Sequence, residues 1–285
     1  MALARAYEEH EVGSDLRRLY GDVRTQFDLP FVPTVFKVLA GVPDYLRPMW
    51  GDLRHVAASR EFHSASRALA EFATSQVIYS GWRFSDQHKA LASQKFNLSD
   101  EEVMASVAAI FGKAIPELSL FCRLMQLGYS GGQPGRISGA KPANALSRWF
   151  SLHIPRERDA GLRAWLIYSD IRKTLGSRHV FSVFRALSPY PGYLAAIWVE
   201  TKKLLEDPAF HRSSDEIARR IRSLLSGLPV RDHRKLAKVL SPLQWKEVEE
   251  TVDGFARTLP QMILFSAVWK RSLRMHGIGG RTSVA

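Results

Sequence analysis

Apolar residues recur at the spacing of an α-helix along most of this chain of 285 residues. One clear stretch places four apolar side chains on a single helix face: Val32, Val35, Phe36 and Leu39. Pro43 then ends this helix, and the Tyr-Leu pair that follows begins the next one. Short alternating patterns of the kind that indicate β-strands are scarce. The pattern therefore predicts an all-α fold.

The same pattern occurs twice. Residues 20–63 align without a gap with residues 168–211, at a constant shift of 148 positions, and 13 of the 44 aligned residues are identical. Average composition would give about three identities by chance. The period is too long for a solenoid, whose units run about 20–50 residues. We therefore expect two pseudo-symmetric helical repeats, packed around a central active-site cavity.

The predicted division of the chain follows from this repeat. The first helical repeat spans residues 1–129, a linker and connecting segment spans 130–160, and the second repeat spans 161–285. Four glycines and two prolines between residues 130 and 142 are typical of a linker. This segment lacks the Gly-Lys-Ser/Thr ending of a phosphate-binding loop. Each repeat closes alike, with a Phe five residues before Pro116 or Pro260 and an apolar run after it.

Composition and charge bear on location in the cell and on the kinds of partner the protein could bind. No run of about 18 apolar residues is present, and the N-terminus lacks an apolar signal region, so we expect neither a membrane span nor secretion. Cys122 is the only cysteine, which excludes an internal disulfide and favours a cytoplasmic location. The formal net charge of +12 is spread along the chain. Solvated helix faces, attraction of small anions and nucleic-acid binding all remain open explanations.

Two carboxylates occupy the same place in the two copies. Asp22 and Asp170 each follow a Tyr by two residues and precede an Arg by two. One interpretation is a repeated cap or a surface Asp–Arg pair. The other is a carboxylate in an apolar cavity, where desolvation would raise its pKa and let it act as a general base. His63 and His211 are interpreted as repeat architecture, and Trp50 and Trp198 as core residues.

The copies diverge at a few positions, among them Phe31 against His179. A lone histidine on a helix is more often structural than catalytic, so we interpret His179 as structural. No spacing of His, Glu or Cys indicates a metal site. Cys122 lies in an apolar stretch and is expected to be a buried, inert thiol.

Two segments of the second copy resemble a known family. They are Tyr-Ser-Asp-Ile-Arg-Lys at 168–173 and Phe-Arg-Ala-Leu-Ser-Pro-Tyr-Pro-Gly-Tyr-Leu at 184–194. With the two-copy frame, they make the chain similar to the group I α-haloacid dehalogenases, which act on D- and L-2-haloacids. The resemblance implies a cofactor-independent, homodimeric hydrolase that converts small 2-haloalkanoic acids to 2-hydroxyalkanoic acids. An Asp of the second copy would activate a water that attacks Cα directly, with inversion and without an ester intermediate.

The resemblance also implies roles for particular residues. Asp170 matches the general base, and Ser169 matches the serine that supports it. Phe31 falls where the family has an aromatic wall, and Thr34 falls at another substrate-binding position. Further pocket residues are expected within residues 111–121 and 245–265. The alternatives are a hydrolase or binding protein of the same fold for another small carboxylate, and a basic helical protein that binds nucleic acid.

Overall fold

The computed structural model describes residues 5–85, 87–92, 98–137 and 152–275, which are mostly helical. The α-helices are α1 (Ser14–Phe27), α2 (Thr34–Leu39), α3 (Pro43–Ala57), α4 (Arg60–Tyr79), α5 (Gln87–Ala92), α6 (Leu98–Ser130), α7 (Leu162–Leu175), α8 (Ser182–Ala186), α9 (Pro191–Glu206), α10 (Pro208–Leu224) and α11 (Pro242–Met275). Short 3₁₀ helices occur at Glu9–Glu11, Glu157–Asp159 and Arg234–Lys238. Within the described residues no strand forms beyond one isolated bridge between Gln133 and Val230. The predicted all-α class is confirmed.

The register of the helices follows the sequence repeat. Helices α1 to α4 each begin 148 positions before their counterparts α7 to α10, and α6 begins 144 positions before α11. Helix ends also correspond. Asp28 after α1 and Gly176 after α7 both adopt a left-handed backbone conformation, which satisfies the last carbonyl groups of their helices. The duplication seen in the sequence is therefore a duplication of secondary structure.

The helices form two compact units, and each unit draws on both halves of the chain. Unit 1 consists of Met1–Ala68, Pro116–Leu152 and Arg219–Leu259. Unit 2 consists of Leu69–Ile115, His153–Ala218 and Pro260–Ala285. The boundaries fall within α6 and α11 at their internal prolines, Pro116 and Pro260. The division into residues 1–129, 130–160 and 161–285 stays a prediction about the sequence repeat; residues 138–151 of its linker lie outside the described residues.

Each unit has its own aromatic core. In unit 1 the core contains Phe27, Phe36, Trp50, Phe62 and Phe121, and the ring centroids of Phe27 and Phe121 lie 5.4 Å apart. Such pairs favour edge-to-face geometry, which this pair adopts with an interplanar angle of 89°. In unit 2 the ring centroids of Phe184 and Phe265 lie 5.1 Å apart, within the core that also contains Phe84, Trp198 and Trp269. Burial of these rings is a main source of folding free energy.

Helix α6 is the most apolar of the long helices. Its residues Asp100–Ser130 are long and apolar enough to cross a membrane, judged by length and composition. In the structure 61% of its most apolar window is buried inside the protein. Its buried side chains include Met104, Phe111, Phe121 and Met125. This burial is typical of a core helix.

Candidate functional site

Asp170 lies on α7 and is held by two residues of α9. The Trp198 indole donates a hydrogen bond from Nε1 to Asp170 Oδ2 at 2.8 Å. Lys202 Nζ lies 2.8 Å from the same oxygen, and the Asp170 side chain is 41% exposed. Trp198 and Lys202 are four residues apart, so both project from one face of α9 toward α7. This carboxylate therefore joins α7 and α9, which pack against each other within unit 2.

The first copy has the same arrangement. Trp50 Nε1 donates to Asp22 Oδ2 at 2.7 Å, and Arg54 Nη1 lies 3.8 Å from that oxygen. The Asp22 side chain is 44% exposed, close to the value for Asp170. Asp, Trp and the cation are each displaced by 148 positions between the copies. We call this set the Asp–Trp clamp: Asp22 with Trp50 and Arg54, and Asp170 with Trp198 and Lys202.

The electrostatics of Asp170 differ from the sequence expectation. The hydrogen bond from Lys202, followed by that from Trp198, holds the pKa of Asp170 below its ordinary value. Of the two interpretations of this carboxylate, the structure does not have the apolar surroundings and raised pKa, because Asp170 is half-exposed and paired with a cation. The role of Asp170 as general base, with Ser169, stays a prediction. A carboxylate with a lowered pKa is a weak proton acceptor at neutral pH. Its recurrence at Asp22 favours the structural interpretation of this pair.

The Asp–Arg pair between residues two apart, which was one of the interpretations of the sequence, does not form. Arg24 pairs with Glu9 instead, and Arg172 pairs with Glu157 at 2.8 Å. The first pair joins α1 to the 3₁₀ helix before it, and the second joins α7 to its own preceding 3₁₀ helix. Corresponding residues of the two pairs are 148 positions apart in the sequence. The sequence could not identify these partners, because they lie 15 residues away from the arginines.

The other predicted site residues are divided between the two units. Ser169 is exposed on α7 and belongs to unit 2 with Asp170. Phe31 and Thr34 belong to unit 1, where they are 8% and 3% exposed. Thr34 is the first residue of α2, after Pro33, and Phe31 lies in the turn before it. Their roles in substrate binding stay predictions.

Two further residues interpreted from the sequence as structural, His179 and Cys122, are largely buried. Desolvation lowers the pKa of His179 in unit 2, so its neutral form is favoured. The backbone N–H of the next residue, Val180, donates to Glu157 at 2.8 Å, which fixes the turn before α8. Cys122 is fully buried in unit 1, and burial raises the pKa of its thiol. The predicted burial of this thiol is confirmed, and the raised pKa disfavours the thiolate, which is the reactive form.

Sequence reasoning missed a buried acid in unit 1. Glu117 follows Pro116 on α6 and is only 3% exposed. Its Oε1 lies 3.4 Å from Nδ1 of His63 on α4, and His63 is 9% exposed. The sequence suggested that His63 and His211 are equivalent, and the structure shows that they are not. His211 is exposed and contacts the carbonyl oxygen of Leu205 at 2.6 Å. The only sequence signal for Glu117 was its position within residues 111–121.

Comparison with known proteins decides the family. The model of the halocarboxylic acid dehydrogenase DehI family matches residues 30–183 and 179–285. These two matches together cover most of the chain. The chain belongs to the DehI family.

This DehI-family chain also resembles individual proteins over nearly its whole length. It is 24% identical to an (R)-2-haloacid dehalogenase from Pseudomonas putida, over 92% of this chain and 90% of that protein. It is 22% identical to an (R)-2-haloacid dehalogenase from Rhizobium sp. (strain NHG3), over 80% of this chain and 90% of that protein.

Solved structures share the fold. A mutant D-2-haloacid dehalogenase in complex with D-2-CPA superposes on this DehI-family chain with a TM-score of 0.83 at 21% identity, covering 95% of this chain and 96% of that one. A D-2-haloacid dehalogenase in complex with L-LA gives a TM-score of 0.82 at 20% identity, with the same coverage. At this level of identity the likeness establishes the fold.

Proposed function

We propose that this DehI-family protein hydrolyses small 2-haloalkanoic acids to 2-hydroxyalkanoic acids and releases halide. The observation that carries the proposal is the family match, which extends over residues 30–183 and 179–285. The relatives named (R)-2-haloacid dehalogenase align with 92% and 80% of this chain, so the similarity extends over both repeats. This supports dehalogenation of a 2-haloacid as the reaction. Fold alone would not support it, since one fold hosts many functions.

The proposed chemistry is a direct displacement. A water molecule attacks Cα of the substrate, its oxygen forms the new C–O bond, and halide leaves with the electrons of the broken bond. The configuration at Cα inverts, and no ester with the protein forms. The formal charge of +12 supports attraction of an anionic substrate. The aromatic core of unit 1 supports exclusion of bulk water near Phe31 and Thr34, which we expect to contact the substrate.

A homodimer is part of this proposal, and one exposed face supports it. Leu162, Trp165 and Leu166 on α7 are 74%, 49% and 56% exposed. They lie at i, i+3 and i+4, so they form one apolar face of α7. The same positions of α1 carry Ser14, Arg17 and Arg18, so the repeat does not require apolar residues there. Contiguous exposed apolar surface is typical of protein interfaces.

The direct test is halide release from D- and from L-2-chloropropionate by the purified protein, with the product analysed for chirality. We expect halide and an inverted 2-hydroxypropionate from at least one enantiomer. In a single turnover in H₂¹⁸O the product should carry the heavy oxygen, since water is the attacking group. If the protein is folded and helical but releases no halide from either enantiomer, the proposal is contradicted.

The Asp–Trp clamp favours a second candidate. Because Asp170 has the surroundings of its counterpart Asp22, the frame is compatible with a protein that binds another small carboxylate without dehalogenating it. Thermal stabilisation by a panel of non-halogenated 2-hydroxy and 2-oxo acids, with no halide release from 2-haloacids, would support this candidate over the first. Stabilisation that requires a halogen at C2 would exclude it.

A further inference from the structure

The 3₁₀ helix before α11 and the first turns of α11 present cations and apolar side chains on their outer side. Three lysines and two branched aliphatic residues are exposed within residues 235–246: Lys235, Lys238, Val239, Leu243 and Lys246. Val239 and Leu243 are 74% and 68% exposed. We call these five residues the basic apolar surface, and all of them belong to unit 1. Exposed apolar side chains framed by cations are typical of surfaces that bind another body.

The inner side of the same segment is already packed. The backbone N–H of His233 donates to the carbonyl oxygen of Gly128 at 2.8 Å. His233 and Leu240 are both buried, and the rings of Trp245 and Tyr45 lie 6.2 Å apart. The segment is therefore anchored to unit 1 by residues other than those of the basic apolar surface, whose side chains are left to solvent.

A capping box fixes the turn between Val239 and Leu243. The backbone N–H of Ser241 donates to Gln244 Oε1 at 2.9 Å, and the backbone N–H of Gln244 donates to Ser241 Oγ at 3.3 Å. Val239 precedes Ser241 by two residues, and Leu243 follows it by two. Because the backbone that carries the two apolar side chains is already ordered, covering them loses little conformational entropy.

The first repeat does not have these residues at the matching positions. With the offset of 144 positions between α6 and α11, Leu243 corresponds to Ser99 and Lys246 corresponds to Glu102. The start of this long helix therefore requires neither an apolar side chain nor a cation at these places. The basic apolar surface is a property of the second repeat and not of the repeated frame.

The lysines give the surface a positive charge that its own neighbours do not neutralise. Within the part of the chain that the structure describes, neither Lys235 nor Lys238 forms a salt bridge. Lys246 lies 3.8 Å from Glu250, at the long end of ion pairing. A cationic surface of this kind is complementary to an anionic layer, and salt screens the attraction.

We propose that the basic apolar surface binds an anionic phospholipid bilayer. The lysines contact the headgroup phosphates, while Val239 and Leu243 enter the boundary between headgroups and acyl chains. Nucleic acid would use the lysines alone, because contacts to its phosphate backbone leave apolar side chains in water. The protein lies on the membrane and does not cross it. This proposal is independent of the proposed function, since it requires no halide release.

The first test is co-sedimentation with vesicles made of equal parts of phosphatidylcholine and phosphatidylglycerol, compared with pure phosphatidylcholine. We expect the wild type to bind the anionic vesicles alone. Each lysine near an anionic surface contributes about fivefold to the partition coefficient, so Lys235→Gln with Lys238→Gln should lower it by about 25-fold. The control, Arg220→Gln with Arg222→Gln on α10, removes the same charge and should lower it much less. No binding by the wild type, or equal losses in both pairs, would overturn the proposal.

The second test addresses the apolar residues. Val239→Ser with Leu243→Ser should lower the partition coefficient by about tenfold or more, because two aliphatic side chains no longer leave water. The control is Ile78→Ser with Tyr79→Ser, two residues of unit 2 that are also exposed. Circular dichroism verifies that each variant is folded. Unchanged partition in the folded Val239/Leu243 variant would mean electrostatic adsorption without insertion, which rejects the proposal.

A fluorescent label reports insertion directly. Cys122 is the only cysteine of the chain and is fully buried, so a cysteine at Leu243→Cys can be labelled selectively with an environment-sensitive dye. We expect its emission to shift to shorter wavelength with the anionic vesicles, and the same label at Ile78→Cys to show no shift. Tighter binding to double-stranded DNA than to the vesicles, without dependence on Val239 and Leu243, would assign the surface to nucleic acid and overturn the proposal.

Discussion

Trp198 donates a 2.8 Å hydrogen bond to Asp170, and this bond recurs between Trp50 and Asp22 in the other copy. In each copy the Trp and the Asp are 28 residues apart. The bond joins α1 to α3 in the first copy and α7 to α9 in the second. A carboxylate with the same partner in both copies does the same structural task twice. The chemistry should therefore be sought where the copies differ.

The Asp–Trp clamp predicts matched losses of stability. Asp22→Asn and Asp170→Asn each remove the charge that strengthens the indole hydrogen bond and the pairing with a cation. Because both side chains are about half-exposed, we expect each variant to lose only about 1 kcal/mol of the free energy of unfolding. Urea unfolding of the two variants measures this. A loss several times larger for Asp170→Asn than for Asp22→Asn would show that the two clamps are not equivalent.

Stability should fall as pH falls below the ordinary pKa of histidine. Desolvation lowers the pKa of buried His233, against a smaller opposing effect of Asp52, whose Oδ2 lies 3.2 Å from His233 Nε2. The unfolded chain then binds a proton at a pH where the folded chain does not. The contribution of His233 is therefore full above about pH 6.5 and is lost as pH decreases through its lowered pKa.

Urea unfolding between about pH 7.5 and pH 5 measures this slope. His233→Gln should flatten it, whereas substitution of exposed His211 should leave it unchanged. An unchanged slope in His233→Gln would contradict the assignment of the pH dependence to this residue.

Two helical glycines of unit 1 should respond oppositely to alanine. A Cβ at Gly128 would overlap Nδ1 of His233, whose ring is buried. Gly128→Ala should therefore cost about 1–3 kcal/mol of stability, as overpacking usually does. A Cβ at Gly254 in α11 would meet nothing within 4 Å.

Gly254→Ala is the matched control for this change. It should raise stability by up to about 1 kcal/mol, because alanine is a better helix former than glycine. Thermal and urea unfolding of both variants measure the difference. Equal effects in the two variants would mean that His233 is not packed against Gly128 as described.

The apolar face of α7 should control oligomeric state. The triple change Leu162→Ser, Trp165→Arg and Leu166→Arg installs the residues that α1 has at the same positions, so helix register is preserved. We expect the wild type to be a dimer and the variant a monomer by size-exclusion chromatography with light scattering, since apolar contact is replaced by like charge. A dimeric variant would place the interface elsewhere. A monomeric wild type would remove the homodimer from the proposal.

Much of the fold was predictable from local pattern. Helical spacing and prolines located α2, α3, α8 and α9, and the constant shift of 148 positions identified their correspondence. The assignment of segments to compact units was not predictable, because it depends on where α6 and α11 pack beyond Pro116 and Pro260. This packing depends on tertiary contacts, which the local periodicity of apolar residues does not predict.

The site was less predictable than the fold. The sequence identified Asp170 as a repeated carboxylate, but its partners Trp198 and Lys202 lie 28 and 32 residues away, so its exposure and lowered pKa could not be anticipated. Glu117 and His63 lie on different helices, and His63 was grouped with His211 because both follow Phe. Identity in sequence concealed a difference in burial, which only the tertiary structure determines.

The most direct measurement is halide release from D- and L-2-chloropropionate by the wild type, Asp22→Asn and Asp170→Asn in parallel. The account predicts release by the wild type and no greater loss of activity in Asp170→Asn than in Asp22→Asn, because the two carboxylates have matching partners. A selective loss in Asp170→Asn would contradict the structural interpretation of this residue and support the base implied by the family resemblance. No release by folded wild-type protein would contradict the proposed reaction itself.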